Sequence, residues 1–358
     1  MKVGVITFHR AYNYGAFIQC YALCFYLKKL GFDVEVVDYR SKSIEATRQL
    51  VSFESVRKFF WSLSVLPSKI KVSNMFNKIQ KNRLLCSKKI YYEAKDFNNE
   101  YDVIIIGSDQ VWNKRITKGL DPIYWGRIPG STKIISYAAS LDDDCIFSSN
   151  DFHEIKLYLE NFDAISVRES KWADIFQPYV IKPIYTVLDP SLLLTKEDYE
   201  HFIEEPIDKN YVLYYQMEYN YNSKYRVIEA ANALNANIIV IGGKKEHYKC
   251  NNQFRYIPRS EVSPFLLLGY INNARLVFAS TFHGTALPIA LNKDVYFFAN
   301  SKIERSKSLL ESVGAVDRMI NSDEELTLST MNYGLVNEKL EKLRENARRF
   351  VVSNIYKE

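Results

Sequence analysis

Short apolar runs, each closed by a polar turn and followed by a stretch with helical spacing, recur along the whole chain. Residues 3–7 form a buried-strand run and 9–15 a polar loop. Residues 17–30 carry helical spacing and stop at Gly31, and 33–37 are again strand-like. This alternation predicts a parallel βαβ unit. Runs at 103–106, 134–136, 164–167 and 184–187 extend the same sheet, whereas 41–89 reads as helical, amphipathic and basic. A polar, charged stretch at 195–210 contains Pro206 and marks a crossover. The alternation then restarts. Strands are expected at 211–215, 237–241, 276–278 and 295–298, and helices at 224–234, 261–271, 284–291 and 337–352.

The expected fold class is therefore α/β, with two Rossmann-like domains facing across a cleft in a GT-B-like arrangement. The N-terminal domain is expected over residues 1–195, with a basic helical insertion at 41–92. The C-terminal domain is expected over 209–335, and a helix at 336–358 is expected to pack back on the first domain. Ligands of such sheets sit beyond the carboxyl ends of the strands, near helix N-termini.

Composition changes this picture little. At 358 residues and 47% hydrophobic, each half can bury a core, and a net charge of +5 is too mild to imply nucleic acid. Charge distribution is more informative. Nine Lys/Arg and no Asp/Glu lie between Arg57 and Tyr92, interleaved with Phe59, Phe60, Trp61, Ile70 and Phe76. Residues 57–92 thus suit either peripheral contact with an anionic membrane or a helical flap with a solvated basic face. The 26 Tyr and 21 Phe suit a sugar-handling cleft, or compositional bias. The five cysteines (Cys20, Cys24, Cys86, Cys145 and Cys250) are odd in number and lack a C-x-x-C pair. They are expected to be buried thiols rather than disulfides or zinc ligands. No secretory signal opens the chain, and no apolar run approaches the ~18 residues of a spanning helix. The expected location is cytoplasmic, at the inner face of the membrane if it meets one.

Three constellations carry candidate chemistry. In 279–285, a strand ends and Ser280, Thr281, His283, Gly284 and Thr285 enter a helix, where backbone N–H groups favour an anion. A histidine there can give a proton, since its charge changes near neutral pH, or it can merely cap the helix. In 165–169, Arg168 closes a strand beside Glu169. It can grip a carboxylate or phosphate, or form a plain ion pair. In 107–113, Gly107 permits a turn, and Ser108 or Asp109 is expected to cap a helix, followed by Gln110. Asn13, Tyr14 and Gly15 replace a G-x-G-x-x-G turn, and no P-loop occurs, so no nucleotide cofactor is implied. No His/Asp/Glu cluster has metal-ligand spacing.

At these residues the chain resembles the polysaccharide pyruvyl transferase family. The matching pieces are residues 13–16 with Gln19, 106–113, 136–140, 166–169, 188–193 and 280–284, then Arg305, 308–310, Asp317 and Arg318. The resemblance implies phosphoenolpyruvate as donor substrate with no cofactor or metal. It also implies a glycan or lipid-linked sugar as acceptor, and a cyclic ketal product of the kind found in capsule and exopolysaccharide. By resemblance His283 is catalytic. Arg168, Ser280, Thr281, Gly284, Thr285 and Arg305 are expected to bind the donor, all of them in the second domain except Arg168, which lies in the first. Asn13, Tyr14, Gly15, Ser108, Asp109 and Gln110 line the acceptor side, in the first. Thr281 departs from the pattern, because many members have arginine there. Arg275, Lys293 or Arg305 is expected to substitute, Arg305 first. The rival readings are a nucleotide-sugar glycosyltransferase of the same architecture and a non-catalytic glycan-binding member.

Overall fold

The computed structural model describes residues 1–53, 55–130, 132–216, 223–243, 253–299, 303–321 and 325–356. Two compact units are present, Met1–Leu193 with Leu343–Glu358, and Leu194–Lys342.

The first unit carries strands β1 (Lys2–Ile6), β2 (Asp33–Tyr39), β3 (Cys86–Tyr91), β4 (Val103–Asp109), β5 (Lys133–Ala139), β6 (Ile165–Val167) and β7 (Ile184–Thr186). Their order is β3-β2-β1-β4-β5-β6-β7 and every pairing is parallel. Helices α1 (Tyr14–Lys29), α2 (Lys42–Thr47), α3 (Val56–Ser64), α4 (Leu66–Arg83), α5 (Lys114–Thr117), α6 (Ser149–Leu159) and α7 (Ser170–Phe176) connect them. The central strands are apolar at nearly every position because both faces of a parallel sheet are covered. Val3, Val5, Ile104 and Ile106 are all essentially fully buried. Trp112 and Trp125 stack at 4.5 Å in this core, and Trp112 Nε1 donates to the Tyr124 carbonyl at 2.8 Å.

The second unit holds α8 (Lys196–Glu200), β8 (Tyr211–Gln216), α9 (Ser223–Ala233), β9 (Asn237–Gly242), β10 (Phe254–Ile257) and α10 (Pro264–Asn273). It continues with β11 (Leu276–Ala279), α11 (Phe282–Ala290), β12 (Val295–Phe298), α12 (Glu304–Val313) and β13 (Met319–Ile320). Its sheet is again parallel, in the order β10-β9-β8-β11-β12-β13. The last helix, α13 (Tyr333–Ile355), runs into the portion that clusters with the first unit. There Arg344 Nε donates to the Leu192 carbonyl at 2.8 Å, and the Phe350 ring meets Tyr185 at 5.4 Å.

The fold class is α/β with two Rossmann-like sheets, as expected. Residues 86–91 correct the expectation of helix through 89. Cys86–Tyr91 is an edge strand held by backbone pairing to Val36, Asp38 and Tyr39. Its outward face needs no apolar residues, so the side-chain pattern there is weak. Cys20, Cys24 and Cys145 are buried thiols and Cys86 is partly covered, while Cys250 lies outside the described residues. No described helix is long and apolar enough to cross a membrane.

Candidate functional site

In a parallel sheet all carboxyl ends lie on one edge. Ligands gather where neighbouring strands send their connections to opposite faces. In the second unit that switch lies between β8 and β11. The turn after β11 is built for close approach. Thr281 is the N-cap of α11, and its Oγ1 accepts the Gly284 N–H at 3.1 Å. Thr285 Oγ1 donates back to the Thr281 carbonyl at 3.1 Å. A Cβ at Gly284 would sit 2.9 Å from each of Ala279 Cβ, Thr281 Oγ1 and Tyr215 Cδ1, so only glycine fits. Ser280, Gly284 and Thr285 are buried, and His283 is half-buried with its ring edge-on to Phe282 at 5.1 Å. The helix dipole and the capped turn thus place the His283 imidazole at the positive end of α11.

The same edge separates the candidate cations. Arg305 opens α12 beyond the carboxyl end of β12. Arg275 and Lys293 sit at the opposite edge. The Arg275 N–H donates to the Tyr211 carbonyl at the start of β8, and its Nη1 donates to the Leu234 carbonyl at 2.7 Å. Lys293 precedes β12, and burial pushes its ammonium below the usual lysine range. Neither is placed to replace the arginine missing at Thr281. Arg259, which sequence reasoning passed over, lies on the same edge as the His283 turn. It follows β10 on the carboxyl edge, and its charge partly offsets the burial that pushes the Tyr215 hydroxyl up to about 12. The Tyr215 ring is the one that abuts Gly284. The signal was hidden because β10 itself was not legible as a strand.

In the first unit the switch lies between β1 and β4. A buried polar network crosses the strand ends there. Gln19 Nε2 donates to Thr7 Oγ1 at 2.9 Å, and Thr7 Oγ1 to the Ser108 carbonyl at 2.9 Å. Ser108 Oγ lies 2.9 Å from the Ala138 carbonyl and 3.2 Å from Asp189 Oδ2. Arg168 donates Nη1 to Asp189 Oδ2 at 2.7 Å, Nε to Glu169 Oε1 at 2.8 Å and Nη2 to Ser140 Oγ at 2.7 Å. Burial opposes its charge, but Glu169, Asp189 and Asp109 outweigh that and hold the guanidinium firmly charged. Glu169 Oε2 is buried with no hydrogen-bond partner among the described residues.

This geometry bears on two expectations. Arg168 realises the ion-pair alternative: at 3% side-chain exposure it faces carboxylates of its own chain and ties strand ends together. Ser108 is fully buried within β4, and Asn113, not Ser108 or Asp109, caps α5, with its Oδ1 accepting the Arg115 N–H at 3.0 Å. Gly107 is obligatory: at φ 119° its Cβ would lie 2.2 Å from the Tyr137 carbonyl oxygen. Asp109 follows at φ 72°. Asp109 and Gln110 remain partly exposed at the carboxyl edge.

Asn13 is exposed and caps α1, its Oδ1 accepting the Ala16 N–H at 3.2 Å. Tyr14 and Gly15 are buried, and the Tyr14 ring packs on Phe76 at 5.6 Å. Beside this loop, Asp38 accepts from Arg40 Nη2 at 2.8 Å and from His9 Nε2 at 3.3 Å. Among the described residues, no group of three or more His, Cys, Asp or Glu side chains is placed to hold a metal ion.

The comparisons agree with this geometry. Among solved structures, the putative UDP-N-acetylglucosamine 2-epimerase of Listeria monocytogenes is similar at TM-score 0.52 and 9% identity, covering 98% of this chain and 95% of its own. The UDP-GlcNAc 2-epimerase of Neisseria meningitidis, solved bound to UDP-GlcNAc, is similar at TM-score 0.51 and 11% identity, with 100% of both chains covered. At such identity they show the GT-B-like fold class alone. No curated protein matches in sequence. The family model described as polysaccharide pyruvyl transferase matches residues 13–302, which take in the Asn13 cap, the strand-end network apart from Thr7, and the His283 turn. The chain belongs to the polysaccharide pyruvyl transferase family.

Proposed function

We propose that the protein moves the pyruvyl group of phosphoenolpyruvate onto two hydroxyls of one sugar, in a surface polysaccharide or its lipid-linked precursor. The observation that carries this reading is the position of His283 at the capped N-terminus of α11, inside the family match. An enol phosphate needs an acid, and an anionic donor needs a positive seat. His283 supplies the first, and the α11 N-terminus with Arg259 and Arg305 supplies the second.

The chemistry runs in two steps. His283 gives a proton to the donor's methylene carbon as one sugar hydroxyl bonds to the adjacent carbon and loses its own proton. A second hydroxyl then bonds to that carbon, the carbon–oxygen bond to phosphate breaks, and the departing phosphate carries off the bond's electron pair and takes up that hydroxyl's proton. One cyclic ketal and one phosphate result, with no oxidation or reduction. Asn13, Asp109 and Gln110, on the first unit's carboxyl edge, are assigned to the acceptor. Arg168 acts behind them by fixing the strand ends.

Incubation with phosphoenolpyruvate and candidate glycans tests this. The expected result is phosphate release matched by a pyruvyl mass increment on the glycan, absent in His283→Ala with an unchanged melting curve. Thermal stabilisation by a sugar nucleotide and none by phosphoenolpyruvate would reassign the protein as a glycosyltransferase.

A further inference from the structure

The α3–α4 segment departs from the α/β frame, and its two sides differ in kind. The inner side is anchored on the loop before α1. The Phe76 ring lies 5.8 Å from Tyr12, Gln80 Nε2 donates to the His9 carbonyl at 2.8 Å, and Tyr12 shares a hydrogen bond with Ser73 at 2.8 Å. The outer side is apolar and uncovered in this chain. Phe53 is 80% exposed, Val56 74%, Phe60 64% and Trp61 60%.

Nearly all of α3 is exposed, and three of its exposed apolar residues form a helical stripe. Val56, Phe60 and Leu63 stand four and three residues apart on one face of α3, and Trp61 projects roughly 100° round the helix from Phe60. The buried position of α3 is Ser62, on the other side. This inverts an ordinary core-facing helix, whose apolar stripe points inward. Phe53 and Phe59 extend the stripe at 5.7 Å, and Phe59 and Phe60 meet at 5.5 Å. An apolar patch of this kind marks a binding surface.

Charge selects the occupant. Across α3 and α4 the chain has seven Lys/Arg and no Asp/Glu. Lys69 Nζ stands 5.6 Å over the Trp61 ring, so cation and aromatic are presented together. Aromatic rings flanked by cations match the headgroup boundary of an anionic bilayer, where rings enter the interface and ammonium groups meet phosphates. We infer that the outer face of α3–α4 is a peripheral docking surface for anionic lipid. The inference stands on exposure and charge and does not rest on the transferase reading.

Flotation of the full chain with vesicles tests it, using phosphatidylcholine alone and an equal mixture with phosphatidylglycerol. The protein is expected to float with the mixture, to be released by salt, and to stay down with phosphatidylcholine. Phe60→Glu with Trp61→Glu should abolish flotation without changing the melting curve. Arg57→Gln and Lys71→Gln should each weaken binding about fivefold. The inference fails if the wild type ignores the mixture, if it floats equally with both vesicles, or if the double variant floats normally. A dimer in light scattering that the double variant loses would assign the face to a second copy of the chain, and would also overturn it.

Discussion

Arg168 and Asp189 form a buried ion pair at 2.7 Å, with the two side chains 3% and 0% exposed. Asp189 spends its other oxygen on the Ser191 N–H and hydroxyl, at 2.9 and 2.6 Å. Removing one partner strands a charge in a low-dielectric site. Arg168→Met or Asp189→Leu should therefore each cost about 3–5 kcal/mol by denaturant melting. The double variant should cost less than the sum of the singles. Strict additivity would mean that the pair is not coupled.

The turn at His283 makes a second prediction. Thr281→Val keeps the volume but deletes the cap acceptor, and should cost about 1 kcal/mol, whereas Thr281→Ser should be near neutral. Gly284→Ala meets three atoms at 2.9 Å. It should cost about 1–3 kcal/mol and lower kcat/KM tenfold or more by moving the imidazole. An unperturbed Gly284→Ala would show that the turn has room to spare.

Which parts were legible follows from which patterns burial imposes. The central strands announce themselves because both faces are covered, as in residues 103–106. The three strands that went unread, β3, β10 and β13, are all sheet edges, where one side is open and the backbone does the pairing. The His283 turn was legible because its neighbours are fixed by local geometry: a cap at Thr281 and a glycine at Gly284. Arg168 stayed ambiguous because an arginine at a strand end looks the same whether its acceptor is a ligand or Asp189, twenty-one residues on. Only the fold brings Asp189, Ser140 and Ser108 to it. Arg259 was invisible for a related reason, since its place on the carboxyl edge depends on β10.

Asp38 gives a pH prediction. Burial by itself would raise its carboxyl, but hydrogen bonds from His9 and Arg40 outweigh it and hold the group well below the usual carboxylate range. A folded value below the unfolded ~3.9 stabilises the protein above that pH. The contribution fades as pH falls through the acid range toward the folded value. Asp38→Asn should lose about 1–3 kcal/mol at neutral pH. Its stability should converge with the wild type's as the solution is acidified. Curves that stay parallel down to the acid limit would show that Asp38 does not carry this dependence.

The two edges of the second sheet provide the sharpest separation of roles. Arg259 and Arg305 follow strands β10 and β12, on the edge where β11 delivers His283. Arg275 precedes β11, and its Nη1 already serves the Leu234 carbonyl on the far edge. If the donor's phosphate and carboxylate sit at the α11 N-terminus, charge matters on the first edge alone. Arg259→Gln and Arg305→Gln should each raise the KM for phosphoenolpyruvate, by about tenfold where a charge-assisted hydrogen bond is lost. Arg275→Gln should leave KM unchanged and lower the melting temperature slightly. Steady-state kinetics on the three variants decides between them. A KM effect in Arg275→Gln equal to that in Arg259→Gln would mean that the donor is not held at the carboxyl edge, and the assignment of His283 would fall with it.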